Sequence, residues 1–128
     1  MKRAFGDAHY FLALLSPRDQ DHIRVREFAA QWVGEIVTTR WVLAEVADGL
    51  ATPPMRMPAV TFLQRPEQNP FVRILPPNDA QFLRGLDLYR RRPDKAWSLT
   101  DCISFVVMQE ACYRWSRPYR GNRTRSHP

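Results

Sequence analysis

The sequence predicts an α/β fold with a central parallel sheet between helices, and three observations carry that prediction. Short β-rich runs, at the chain start through Phe5, at Ile36-Val37-Thr38-Thr39 and at Phe71-Val72-Arg73-Ile74-Leu75, alternate with segments of helical period. Helix signals punctuate the alternation: Asp19 and Asp21, Asn78 and Ser98 at starts, Gly34 and Pro53-Pro54 at ends. The segment from Ser98 to Cys112 is apolar on most faces, which places it at the centre of the molecule. Strands separated by helices pair in parallel, and sites in such sheets lie at the strands' carboxyl ends.

Each element has its own justification. Tyr10-Phe11-Leu12-Ala13-Leu14-Leu15 reads as a short buried helix ended by Ser16-Pro17. From Asp19 to Val33, Ile23, Phe28, Ala29 and Trp32 recur at helical spacing and predict an amphipathic helix. Trp41 to Leu50 reads as a helix stopped before the Pro53-Pro54 pair, and Pro58 to Leu63 as another. Asn78 caps a helix from Asp79 to Arg91 whose apolar stripe is Phe82, Leu83, Leu86 and Tyr89. Ser98 is followed three residues on by Asp101, the spacing of a capping box. Beyond Tyr113 no apolar alternation is long enough for a strand, so residues 1–112 read as the domain and 113–128 as an irregular basic tail.

A chain of 128 residues fits one domain that buries roughly two-thirds of its unfolded surface. The longest apolar stretches, Phe11 to Leu15 and Ile103 to Met108, fall far short of the roughly 20 residues of a membrane span. Asp7 stands where a signal peptide would have its apolar core, which points to the cytoplasm. Nineteen Lys and Arg against 13 Asp and Glu give a net charge of +6. Arg114, Arg117, Arg120, Arg123 and Arg125 in the tail account for most of it, since residues 1–112 hold 14 bases against 13 acids. Such a tail is the footprint of a protein that meets phosphates, and equally of a solvated end. Cys102 and Cys112 are ten residues apart in one predicted helix. Their Cα atoms would be about 15 Å apart, beyond the reach of a disulfide, so both read as buried thiols in a reducing compartment.

Three acids stand in apolar settings: Asp7 after the first strand, Glu45 in the third helix and Asp101 in the first turn of the central helix. On a helical wheel the stripe Val42, Leu43, Val46 and Leu50 centres at about 55°, with Glu45 at about −60° and Asp48 at about −120°. Glu45 therefore flanks the buried face and can reach a cleft, while Asp48 points to solvent. Each acid also has a structural reading: Asp7 as an N-cap, Glu45 as a rim acid paired with Arg40, Asp101 as half of the capping box. Brought together at the sheet's carboxyl edge, the three would repel unless a cation neutralised them. An all-oxygen site of that kind suits Mg²⁺ or Mn²⁺.

At these residues the chain resembles the PIN domain family, which includes the VapC-like toxins of bacterial type II toxin-antitoxin pairs. The matching stretches are Asp7 to Leu15, Ile36 to Val46 and Trp97 to Phe105, within a resemblance that runs from about residue 4 to residue 112. The resemblance implies a three-layer α/β fold and a metal-dependent endoribonuclease that hydrolyses RNA with Mg²⁺ or Mn²⁺. It implies Asp7, Glu45 and Asp101 as the metal-binding carboxylates, Thr100 and Ser104 as polar neighbours, an antitoxin partner and a homodimer. Two departures stand out. Ala8 replaces the Thr or Ser that often follows the family's first Asp, and no acid follows Glu110, where the family supplies one with its last strand. The tail therefore reads as a replacement of that strand, and the rival reading is a catalytically impaired PIN-like scaffold that binds RNA or an antitoxin without cutting.

Other residues carry less. His9, His22 and His127 are isolated along the chain, and the five glycines form neither a phosphate-cradling loop nor a nucleophile elbow. A phospho-receiver would need an acceptor Asp after a middle strand, where Pro76-Pro77-Asn78 stands instead. Arg90-Arg91-Arg92 closes a helix, where cations favour the dipole, a reading that outweighs RNA contact. Trp32, Trp41 and Trp97 read as core, and Trp115 and Tyr119 as residues that could stack on unpaired bases.

Overall fold

Three short strands pair in parallel in the order β1 (Arg3–Phe5), β2 (Glu35–Thr38), β3 (Val72–Ile74), as the alternation of strand and helix requires. The computed structural model describes residues 2–68 and 72–110. The readings placed on Phe71, on Cys112 and on residues 113–128, including the replaced last strand, lie outside the described residues. Between β1 and β2 run α1 (Ala8–Leu15) and α2 (His22–Gln31). Between β2 and β3 run α3 (Arg40–Gly49) and α4 (Arg56–Gln64), then a 3₁₀ turn at Pro66–Gln68. The helices α5 (Asp79–Arg91) and α6 (Leu99–Glu110) follow, and the six helices flank the sheet in the expected α/β architecture.

Register sets the polarity of the sheet. Arg3 faces Glu35, Phe5 faces Val37 and Thr38 faces Ile74. At the amino edge Glu35 accepts from Arg3 Nε at 3.1 Å and has Arg73 at 3.9 Å, so the charges there are spent on one another. Gly34 makes this close approach possible: a Cβ on it would lie 2.4 Å from the carbonyl oxygen of Lys2, and its φ of 154° is one that other residues rarely adopt.

The helix α6 is buried along seven consecutive residues, Asp101 to Val107. It can be, because it fills two apolar clusters at once. Ile103 and Val107 join Phe11, Val25, Val42, Val46 and Val72 in the main core beside the sheet. Cys102, Phe105 and Val106 join Leu88 of α5 and Trp97 in a second cluster, where the Trp97 and Phe105 rings meet edge to face at 5.0 Å. Removing a side chain such as Ile103 would cost about 2–5 kcal/mol.

Two expected faces are corrected. In α2 the inward stripe is Val25, Phe28, Ala29 and Trp32, spaced i, i+3, i+4 and i+7, while Ile23 is 71% exposed. That helix also starts at His22 and not Asp19, because Asp19 to Asp21 form a tight turn. In α5 the inward residues are Gly85 and Leu88 with Phe82 beside them, and Leu83, Leu86 and Tyr89 are exposed. The reason is proximity: a Cβ on Gly85 would lie 2.3 Å from Ile103 Cγ1 and 2.9 Å from its Cα, so α5 meets α6 through a glycine. The helical spans of α3 and α5, the Asn78 cap and the Ser98 box agree with expectation.

Candidate active site

At the carboxyl edge the strand ends are tied laterally. Gly6 N–H donates to Val37 O at 2.8 Å, Thr38 Oγ1 donates to Gly6 O at 2.8 Å, and Leu75 N–H donates to Thr38 O at 2.9 Å. Thr38 and Thr39 are fully buried, and Thr39 leaves the strand to cap α3, its Oγ1 accepting from Val42 N–H at 3.2 Å. Neither threonine was marked by the sequence as part of a site. A pair of hydroxyl residues closing an apolar strand is the signal that could have marked them.

Asp7 follows directly on this edge. Its Oδ1 accepts from Tyr10 N–H at 2.9 Å, so the first acid is the N-cap of α1. Asp101 stands at the third position of α6, and its box with Ser98 is complete. Ser98 N–H donates to Asp101 Oδ2 at 3.0 Å, and Asp101 N–H donates to Ser98 Oγ at 3.0 Å. Both structural readings of these acids are therefore realised. A capping box works as well in solvent, yet Asp101 is only 8% exposed. Glu45 lies half-buried on α3 between the fully buried Val42 and Val46, with Oε2 closed off from solvent, while Asp48 is exposed as the wheel requires. Thr100 is half-buried and Ser104, one turn beyond it on α6, is 4% exposed.

The fold thus places the three acids at the start of α1, on α3 and at the start of α6, and α3 packs against both other helices. Among the described residues, the group of three ligand-type side chains whose atoms lie within 4.8 Å of one another is a different one, His9, Asp19 and Asp21. Sequence reading treated His9 as isolated, and this is a correction: the turn between α1 and α2 brings His9 Nε2 to 3.0 Å from Asp21 Oδ2. Arg24 donates to Asp21 Oδ1 at 2.8 Å and Asp21 N–H donates to Asp19 Oδ1 at 2.8 Å, so these bonds staple α2 to α1.

The donor chemistry of Asp7, Glu45 and Asp101 fits a hard divalent cation: three carboxylates, two of them withdrawn from water, where a charge is costly without an opposite one nearby. Capping uses Oδ1 of Asp7 and Oδ2 of Asp101. Burial, and then the neighbouring Asp101 charge, push the Cys102 thiol up, which disfavours its thiolate.

A parallel three-stranded sheet flanked by six helices in this order defines a class, and the chain belongs to the PIN domain family, whose model matches residues 4–114. Among solved structures it is similar to VapC20 of Mycobacterium tuberculosis, a toxin that cleaves the sarcin-ricin loop. The TM-score is 0.76 at 21% sequence identity, over 84% of this chain and 82% of that one. No curated protein matches the sequence. Among the described residues, no helix is long and apolar enough to cross a membrane.

Proposed function

We propose that this protein is a metal-dependent endoribonuclease of the cytoplasm, the toxin of a toxin-antitoxin pair, hydrolysing RNA phosphodiester bonds. The observation that carries the reading is Asp101, a carboxylate only 8% exposed in the first turn of a helix buried along seven consecutive residues, in a chain whose residues 4–114 match the family model. Asp7, Glu45 and Asp101 would hold Mg²⁺ or Mn²⁺. When bound, such a cation lowers the pKa of water and offsets charge on the phosphate.

The chain's own groups do the rest. The caps on α1 and α6 lock the rotamers of Asp7 and Asp101 before any ligand arrives, so little reorganisation accompanies binding. Thr100 and Ser104 supply hydroxyls beside Asp101. Hydrolysis adds water across the bond: oxygen joins phosphorus, the P–O bond to one ribose breaks, and the departing oxygen takes a proton. RNA, an antitoxin that covers the cleft and a second copy of the chain are the partners this reading requires.

The test is cleavage of labelled tRNA and unstructured RNA with Mg²⁺, Mn²⁺ or EDTA, beside Asp101→Asn. Cutting that needs metal and disappears in the variant is expected. A folded wild-type protein that cuts nothing would favour the second reading, a scaffold that binds RNA or an antitoxin without cleavage. The observation on that side is the lack of any acid after Glu110.

A further inference from the structure

The corner between α5 and α6 holds a cavity of about 540 Å³ lined by Tyr89, Arg90, Arg92, Lys95, Trp97 and Ser98, among others. Its size falls within the roughly 300–1,000 Å³ of small-ligand pockets. Trp97 is its floor, 6% exposed and fixed against Phe105. Two cations lie over that ring, the Arg92 guanidinium at 5.3 Å and Lys95 Nζ at 5.6 Å from its centroid. Tyr89 is half exposed at the rim.

The acids of this corner do not balance its cations. Asp87 accepts from Arg90 and Arg91, each at 2.8 Å, and Asp94 accepts from Arg92 through two bonds of 3.0 Å. These bonds hold both carboxyls below their usual range, so both stay charged. Four cations nevertheless face two acids, and Lys95 has no ion pair among the described residues. Asp94 binds Arg92 directly and acts on Lys95 electrostatically, and with Asp87 it still leaves the corner two positive charges in excess. Ser98 belongs both to the pocket and to the box that holds Asp101.

Resting on the ribonuclease reading, we infer that this pocket is a subsite for one unstacked nucleotide of the RNA strand beside the bond to be cut. Its phosphate lies between Lys95 and Arg92, and its base stacks on Tyr89. An acidic peptide would answer the cations but leave the tyrosine unused, whereas a nucleotide uses both. This revises the reading of Arg90 to Arg92 as a dipole cap alone.

The test is fluorescence anisotropy of a short labelled oligouridylate on the full-length protein, in EDTA and across a NaCl series. Lys95→Ala is expected to weaken binding and to lower the magnitude of the salt slope by about 0.7, the value of one phosphate contact on a single strand. Tyr89→Leu is expected to weaken binding about tenfold with the slope unchanged. Lys95→Arg should restore affinity, and Arg18→Ala, an exposed cation on the α1–α2 connection, should leave it as in wild type. Circular dichroism of each variant establishes that the fold is kept. Lys95→Ala and Tyr89→Leu titrating like a wild type that binds and cuts RNA would overturn the subsite and leave the ribonuclease reading standing. A wild type that neither binds nor cuts RNA would take both down. Duplex RNA or polyglutamate competing as well as the single strand would overturn the nucleotide in favour of a general polyanion surface.

Discussion

Asp7 and Asp101 each cap a helix, and on the proposed function each also holds the metal, two roles that separate by substitution. Asp101→Asn retains an oxygen for Ser98 N–H and is expected to unfold in urea within about 1 kcal/mol of wild type while losing RNA cleavage. Asp101→Ala loses the cap as well and should be destabilised by about 1–2 kcal/mol. Tyr10 offers a second test. Burial pushes its phenol up to about 12, so the unfolded chain ionises first, near pH 10, and stability present below that pH is lost as pH rises towards 12. Tyr10→Phe should remove this part of the alkaline decline when urea midpoints are measured against pH. The capping acids were legible in sequence because a cap is a local pattern, three residues long. His9 was not, because its acid partners arrive only when α2 folds back on α1.

Helix faces tell a similar story one scale up. Large apolar residues located α2 and α5 correctly but mis-set their inner faces, since Leu83, Leu86, Tyr89 and Ile23 lie on the solvent side. A glycine at a helix contact is invisible to hydrophobic periodicity, because what it contributes is the absence of a side chain. Gly85→Ala should therefore destabilise by about 1–3 kcal/mol, as overpacking does, with Ile103 forced to move. Leu83→Lys, on the exposed side, should stay within about 0.5 kcal/mol. Thermal or urea unfolding of the pair tests the face directly. By contrast the burial of α6 was legible: a run apolar on most faces leaves little choice of which side goes in.

For the molecule as a whole, alternation of strands and helices was sufficient to predict the parallel sheet. Spacing alone could not show that Thr38 and Thr39 would close its carboxyl edge, since strand-end residues are placed by pairing with distant strands. If Asp7, Glu45 and Asp101 hold a cation only in the folded state, its binding stabilises the whole chain by mass action. Saturation at about 100 times the dissociation constant corresponds to about 2.7 kcal/mol. Mg²⁺ or Mn²⁺ should raise the melting temperature of wild type, EDTA should reverse the rise, and Asp101→Asn should abolish it.

The helix α6 fills both apolar clusters, yet it follows every other described element in the chain. During translation, at about 5–20 residues per second, a ribosome that has completed α3 has delivered Asp7 and Glu45 but neither the helix that closes the core nor the acid it carries. Synthesis is therefore a timer on assembly. On the ribonuclease reading, a nascent chain is harmless to the RNA of the machine that makes it until the central helix has cleared the exit tunnel.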